Sequence, residues 1–140
     1  MGWTVRETTD GVDWDEAAEL VERAPLGTRD PRDLRAAFEA SAHVCFVYGE
    51  GRLLGLGRAL SDGVWQGGIY DVCVLPEAQG AGVGRAVVSA LLSRMEGLTV
   101  ILFASPGKEP FYERLGFRRM KTGMGRFARY EERREQGYVE

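Results

Sequence analysis

Hydrophobic and polar positions along this 140-residue chain follow two different periods, and each change of period marks a new element. Residues 3–9 alternate as an edge strand does, and two stretches with the spacing of a helix face come next. Asp13 is the predicted cap of the first helix, and Asp30 followed by Pro31 opens the second. The predicted buried faces are Ala17, Leu20, Val21 and Ala24 in the first helix and Leu34, Ala37 and Phe38 in the second.

The middle of the chain is rich in strand-forming residues that are interrupted by short turn signals. Strands are predicted over 43–48, 52–60 and 64–75, with turns at 50–51 (Glu-Gly) and 62–63 (Asp-Gly). Because the connections are tight, these three strands should run antiparallel.

A helix and a short apolar strand over 99–104 follow, and the strand–helix–strand unit should make its two strands parallel. The helical stripe consists of Val83, Val87, Ala90, Leu91 and Met95. A short helix over 108–115 should end at Gly116 in the left-handed conformation. Residues 117–130 predict a final strand or hairpin, and 131–140 a frayed, charged tail. No repeat or linker interrupts the pattern, which predicts one domain over 1–140.

Composition narrows the classes of function. The net charge of -3 argues against nonspecific nucleic-acid binding, which needs a basic face. No apolar run approaches the ~20 residues that a membrane span needs. Cys45 and Cys73 lack metal-ligand spacing, and the chain has a single histidine. We therefore expect buried reduced thiols, no metal site and a cytoplasmic protein.

The stretch over 69–85 carries the clearest chemical signal. A β-branched run ends at Pro76, glycines stand at positions 80, 82 and 84, and a helical pattern begins. Glycines allow close approach to the backbone, and the N–H groups of a first helical turn face an anion, so this stretch predicts a phosphate site. A glycine-rich connection without a ligand is the alternative.

Spacing excludes two familiar phosphate loops. The dinucleotide fingerprint needs a third glycine or alanine where Arg85 stands. The ATP loop needs Ser or Thr after Gly-Lys, but Gly107 and Lys108 are followed by Glu109.

Two motifs together give a more specific signal. Residues 79–84 (Gln-Gly-Ala-Gly-Val-Gly) fit the pattern Arg/Gln-x-x-Gly-x-Gly/Ala, and 110–117 read Pro-Phe-Tyr-Glu-Arg-Leu-Gly-Phe. In this order they closely resemble the GCN5-related N-acetyltransferase (GNAT) superfamily, strongly over 64–119 and elsewhere by element order. The resemblance implies an α/β fold with a mixed, mostly antiparallel sheet of six to seven strands and about four flanking helices. Its fourth and fifth strands, 64–75 and 99–104, should splay apart.

The resemblance also implies that acetyl-coenzyme A (acetyl-CoA), the acyl donor, lies in the slot between the two splayed strands. Its pantetheine arm would pair like an added strand with the backbone of Val72, Cys73 and Val74. Its pyrophosphate would rest on a run of amides, those of Gln79, Gly80, Ala81, Gly82, Val83, Gly84 and Arg85. Lys108, Arg114 and Arg119 could neutralise the 3′-phosphate, and a solvent-exposed role is the alternative for each.

The implied reaction is direct attack of a neutral amine on the thioester. Tyr112 would give a proton to the leaving thiolate as general acid, or it is an aromatic core residue. A backbone N–H near Val74 would hold the oxyanion. Cys73 would act through its backbone, since no cysteine nucleophile is needed.

The general base is less defined. Strand alternation places Tyr70, Val72 and Val74 on one face and Asp71 on the other. Several relatives have Glu or His where Tyr70 stands, which puts a direct side-chain base in doubt. Asp71 is the candidate base, with a water chain or a carboxylate bonded beside the sheet as alternatives. His43 should be structural.

These expectations describe an N-acetyltransferase for a primary amine of a small molecule, a protein terminus or a lysine. A CoA-binding sensor or regulatory domain that has lost turnover is the alternative. The acceptor pocket should involve the two N-terminal helices, Trp65, Tyr70 and residues 120–127. Partners are then acetyl-CoA and an amine, without nucleic acid or membrane. A homodimer stays open, because relatives are often dimers.

Overall fold

The structure, a computed structural model, describes residues 2–140, which divide into two compact units. The first unit ends at Leu102 and the second runs from Phe103 to Glu140. The first unit contains β1 (Trp3–Arg6), α1 (Trp14–Arg23), α2 (Pro31–Glu39), β2 (His43–Gly49), β3 (Arg52–Ser61), β4 (Gln66–Val74), a 3₁₀ turn (Pro76–Ala78), α3 (Val83–Ser93) and β5 (Thr99–Ile101). The second unit contains α4 (Glu109–Glu113) and α5 (Tyr130–Glu135). Within the described chain, every helix is too short or too polar to cross a membrane.

The first unit is built on one sheet with the strand order β1-β2-β3-β4-β5. The first three pairings are antiparallel, and β4 pairs with β5 in parallel through the crossover helix α3. The predicted mixed, mostly antiparallel α/β fold is therefore confirmed. The sheet of the described residues has five strands where the resemblance implied six or seven.

The two predicted turns form as expected, but β4 begins later than predicted. Glu50 and Gly51 have φ values of 53° and 75°, the left-handed pair that closes a two-residue hairpin. The Asp62 carboxylate accepts the N–H groups of the next turn, including that of Trp65 at 2.8 Å. This cap keeps Val64 and Trp65 out of the strand, and the Trp65 side chain is 72% exposed.

Helices α1 and α2 cover one face of the sheet. Their predicted caps are present, since the Asp13 and Asp30 carboxylates accept N–H groups of the first turns. Of the predicted faces, Ala17, Leu20, Val21, Leu34 and Phe38 are buried, and Ala24 and Ala37 are half-buried. The ring centroids of Phe38 and Phe46 lie 5.4 Å apart in the core beneath these helices.

Helix α3 covers the opposite face and packs directly on the β3 backbone. A Cβ placed on Gly57 would lie 2.7 Å from Val87 Cγ1, and one on Gly55 would lie 2.7 Å from Val83 Cγ1. Distances below 3 Å are steric overlap, so β3 needs glycines where the helix crosses it.

The second unit departs from the prediction in two places. Helix α4 ends as predicted, with Gly116 at φ 94° and the Phe117 N–H donating to the Tyr112 carbonyl at 3.1 Å. Residues 117–128, however, contain no strand, and the predicted frayed tail includes α5. That helix has acidic residues in its first turn and arginines in its last, which complement its dipole.

Candidate functional site

Strand β4 runs beside β5 for only part of its length. The parallel pairing joins Gln66, Gly67 and Gly68 to β5, and β5 ends at Ile101. From Ile69 to Val74, β4 continues without a β5 residue beside it in this sheet. β4 thus extends beyond the end of β5, as the predicted splay between the fourth and fifth strands requires, although β5 is shorter than the predicted 99–104.

A β-bulge lies where β4 leaves its neighbour. Gly57 of β3 stands opposite two residues of β4, Asp71 and Val72, where regular pairing would place one. Asp71 has a φ of 59°, the left-handed conformation that Asp tolerates better than most side chains. Bulges increase local twist and bend the strand, so this one bends β4 shortly after its pairing with β5 ends at Gly68.

The bulge also changes which side chains share a face. Arg58 lies 5.5 Å from the Tyr70 ring centroid and also donates to the Asp71 carboxylate at 2.7 Å. Tyr70 and Asp71 therefore point to the same side, beneath α1 and α2, while Val72 and Val74 pack on the α3 side. The predicted alternation is wrong here, because it assumed an unbroken pleat and the extra residue reverses it.

The backbone of Val74 faces the open edge. The Leu75 N–H donates to the Leu54 carbonyl on β3 at 2.8 Å, so the preceding N–H, that of Val74, points the opposite way. The Gln79 side-chain amide lies 3.4 Å from the outward Val74 carbonyl and donates to it. The Val74 N–H therefore points to the side of β4 from which β5 has departed.

The glycine loop leaves the start of α3 accessible. Gly82 precedes the helix with φ 92°, and the Ala86 N–H to its carbonyl, at 3.0 Å, is the first bond of the helix. The amides of 83–85 thus have no carbonyl one turn earlier to bind. A Cβ on Gly80 would meet nothing within 4 Å, and one on Gly82 only the Trp3 ring at 3.6 Å. Accessible amides at a helix start fit a phosphate.

The structure brings the predicted donor-binding residues of the first unit together. The 3₁₀ turn Pro76–Ala78 carries the chain directly from β4 to the loop. Exposed positions of the loop are Gln79, Gly80, Ala81, Gly82 and Arg85, while Gly84 is half-buried. Val83 is buried, so only its backbone can face a ligand.

The Asp71 carboxylate is bound on both of its oxygens. Oδ1 accepts from Arg29 Nη1 at 3.1 Å, and Oδ2 accepts from Arg58 Nε at 2.7 Å. These two bonds fix the orientation of the carboxylate and occupy one acceptor position on each oxygen. Sequence reasoning missed both arginines, and the available signal was Arg58, a lone charge in the middle of an otherwise apolar strand.

The two thiols are held protonated by their surroundings. Burial raises the pKa of Cys45 to about 12, with a smaller effect of Glu7. Burial also raises the pKa of Cys73, and the nearby Asp71 carboxylate adds to the shift. Neither thiol is a nucleophile near neutral pH, which agrees with a backbone role for Cys73.

The remaining predicted residues lie elsewhere. In the second unit, Tyr112 is half-buried in α4, with its ring centroid 4.9 Å from Phe111 and 5.8 Å from Phe117. The predicted phosphate-neutralising residues Lys108, Arg114 and Arg119 are exposed in this unit. In the first unit, His43 begins β2 opposite Ala59. Residues 2–140 contain no cluster of three or more His, Cys, Asp or Glu side chains that could hold a metal.

A bulged strand that parts from its parallel neighbour and leads into a glycine-capped helix defines an acyltransferase fold. The sequence matches the family model of the acetyltransferase (GNAT) domain over residues 12–126. The chain therefore belongs to the GNAT family of acetyltransferases.

Individual relatives agree with this assignment. Serotonin N-acetyltransferase 2 of Oryza sativa is 34% identical over 123 residues, which cover 83% of this chain and 62% of that protein. Histone acetyltransferase TAP1 of Glycine max is 41% identical over 70 residues, 47% of this chain and 30% of that protein. This chain thus spans less than two thirds of either relative.

A solved structure shares the fold. The GNAT-family acetyltransferase from Streptococcus pneumoniae TIGR4 superposes with a TM-score of 0.78 at 22% identity. The match covers 91% of this chain and 99% of the other.

Proposed function

We propose that this protein transfers an acetyl group from acetyl-CoA to a primary amine. The observation that carries the proposal is the open edge of β4 from Ile69 to Val74, which leads directly into the accessible start of α3. An exposed strand edge suits an extended arm with amide groups, and a helix start suits a phosphate. CoA contains both groups in one molecule, because its extended pantetheine arm is joined directly to its pyrophosphate.

The binding roles follow from this arrangement. The outward-pointing N–H and carbonyl groups of Val74, and those of Val72 two residues earlier, pair with the pantetheine arm as an added strand would. Cys73 lies between them and directs its own N–H and carbonyl towards β3, opposite Leu56. The loop amides from Gln79 to Arg85 hold the pyrophosphate, and the exposed Arg85 side chain adds a positive charge.

The chemistry is a single acyl transfer. The amine nitrogen attacks the thioester carbonyl carbon and forms a C–N bond, and the C–S bond then breaks. The Val74 N–H donates to the oxyanion of the tetrahedral intermediate. The departing thiolate takes up a proton, and Tyr112 is the donor that the family resemblance implies. The amine loses one proton, and water is its better-supported acceptor because both Asp71 oxygens are bound to arginines.

The acceptor is proposed only as a class. The names of the two relatives refer to different amines, serotonin in one and histone in the other. Serotonin contains a primary amine and a histone carries primary amines on its lysines, so a small amine, a protein terminus or a lysine satisfies the proposal.

Calorimetry and a thiol-release assay test the proposal. We expect acetyl-CoA and CoA to bind and to raise the melting temperature, while ATP and NAD do neither. With a panel of primary amines, free CoA thiol should appear only when both acetyl-CoA and an accepted amine are present. The buried Cys45 and Cys73 add little background. ATP or NAD binding without acetyl-CoA binding would contradict the proposal.

A CoA-binding sensor is a second candidate, and the ion-paired state of Asp71 favours it. The β4 carboxylate that could act as base is already engaged by Arg29 and Arg58. A sensor would bind acetyl-CoA with a normal thermal shift but release no amine-dependent thiol across a broad panel.

A further inference from the structure

We infer that Arg58 and Arg29 are positioning residues that hold the β4 bulge at Asp71 and thereby aim the Val74 N–H. The inference rests on the proposed acyl transfer, in which that N–H meets the oxyanion. Asp71 is the candidate general base in the sequence analysis. In this inference its carboxylate instead stabilises the bulge and does not accept the proton of the amine.

Arg29, Arg58 and Asp71 form a cluster that we call the clamp. It joins three parts of the first unit at one carboxylate. Arg29 comes from the loop between α1 and α2, and Arg58 comes from β3. Each guanidinium donates to a different oxygen of Asp71, at 3.1 Å and 2.7 Å. The side chain of Asp71 is only 11% exposed and that of Arg58 17% exposed, so water screens this contact weakly.

Arg58 is itself held in one orientation. Its Nη1 donates to Ser41 Oγ at 3.3 Å, and Ser41 Oγ donates to the Ala37 carbonyl at 2.7 Å. The Arg58 guanidinium carbon lies 6.0 Å from the Phe38 ring centroid and 5.5 Å from that of Tyr70. A guanidinium fixed on several sides can fix its partner carboxylate in turn.

The bulge needs such support. A non-glycine residue at φ 59° is strained and persists when its surroundings determine it. Removing the bulge by a slip of one residue would move Val72 and Val74 to the other face and reverse the direction of the N–H groups that follow. Asp71 is three residues before Val74, so the conformation of Asp71 decides whether the Val74 N–H points to the open edge of β4.

Asp71→Asn and Arg58→Met remove the contacts to the arginines while a non-glycine residue stays at the positive φ, and Asp71→Gly removes the contacts and the strain together. If the clamp positions Val74, Asp71→Asn and Arg58→Met should each lower kcat by about 10- to 100-fold, as expected for a displaced oxyanion donor. Arg58→Lys should recover part of the loss, because lysine retains the charge without the planar fork. Arg94→Met, which breaks the exposed Arg94–Glu7 pair, is the matched control and should keep its kcat.

The shape of the pH–rate profile separates positioning from base catalysis. A positioning role predicts that Asp71→Asn and Arg58→Met lower the plateau and leave the limbs of the profile in place. Loss of the lower limb in Asp71→Asn, with wild-type kcat in Arg58→Met, would identify Asp71 as the base and overturn the inference. Wild-type kcat in both Asp71→Asn and Arg58→Met would overturn it as well.

Amide NMR provides a readout that does not depend on turnover. We expect the Val72–Val74 amide shifts to move in Asp71→Gly and Arg58→Lys, while those of the β1–β2 pairing stay unchanged. Unchanged Val74 shifts would refute the clamp even if the wild-type protein acetylates no amine. Absence of acetyl-CoA binding by the wild type would contradict the proposed function instead. If Arg58→Met does not fold, Asp71→Gly and Arg58→Lys carry the test.

Discussion

The Leu75 N–H donates to the Leu54 carbonyl at 2.8 Å, so the N–H of the preceding residue, Val74, points to the opposite edge of the strand. Val74 thus presents its N–H where β4 has no parallel neighbour. In the proposed function, this one backbone bond at the end of β4 serves both the binding of an extended donor and the stabilisation of an oxyanion.

Gly82→Val should abolish detectable acetyl-CoA binding in calorimetry. Gly82 has φ 92° and space in front of it, so a branched side chain would strain the loop and fill the approach to the α3 amides. Near-normal affinity would refute a donor site at this loop.

Gly84→Ala is the control for that change. Gly84 lies inside α3 without a positive φ, and the motif admits alanine at this position. Binding should persist, and the free energy of unfolding should rise by up to about 1 kcal/mol through helix propensity. Melting curves of both variants separate lost affinity from lost folding.

Tyr112→Phe should lower turnover on the order of 10²-fold if the hydroxyl protonates the leaving thiolate. The ring should keep its edge-on contacts with Phe111 and Phe117, so the melting temperature should change little. Single-turnover kinetics at saturating acetyl-CoA provide the measurement. Wild-type turnover would leave Tyr112 an aromatic packing residue.

Gly57→Ala should destabilise the fold by roughly 1–3 kcal/mol, because its methyl group would lie 2.7 Å from Val87 Cγ1. Val87→Ala should remove the overlap, so the double variant should lose less than the two single losses combined. Urea unfolding of the three variants gives this coupling. Strict additivity would mean that the two residues do not meet.

Glu77 should make the stability of the first unit sensitive to acid. Its bond to Arg52 is the largest cause that lowers its pKa to about 2, and Arg23 binds its other oxygen. Since the folded pKa lies below the ordinary value of 4.5, the contribution is full above that pH and is lost as the pH falls towards 2.

The melting temperature of wild type should therefore exceed that of Glu77→Gln at neutral pH, and the difference should shrink through this acid range. The ion pairs are exposed, so about 1 M salt should also reduce the difference. A difference that is constant from neutral to acid pH would count against the pairing.

Cys73→Ala should retain most of its turnover, because the proposed reaction uses no side chain at this position. Its thiol is buried and its raised pKa keeps it protonated. Mass spectrometry after mixing wild type with acetyl-CoA should detect no acetylated thiol. Loss of turnover with normal folding would point to an acyl-cysteine route.

Local patterns predicted most elements because their causes are local. Asp13 and Asp30 cap helices whose first turns they bind, and Glu50-Gly51 closes a hairpin with the left-handed pair that its residues allow. The failures also have identifiable causes. The Asp62 side chain accepts three N–H groups and delays the start of β4. Residues 130–135 form a helix whose end charges complement its dipole, a pattern that the prediction of a frayed tail overlooked.

The sequence by itself determined the family and the glycine loop, since these depend on residue type and spacing along the chain, and the family in turn suggested the donor. Only the tertiary structure revealed the bulge at Asp71 and its two arginines. Asp71 lies 42 residues from Arg29 and 13 from Arg58, and no local period records such a contact. Because one extra residue in β4 reverses the faces that alternation assigns, only the folded sheet could decide where Asp71 and Val74 point.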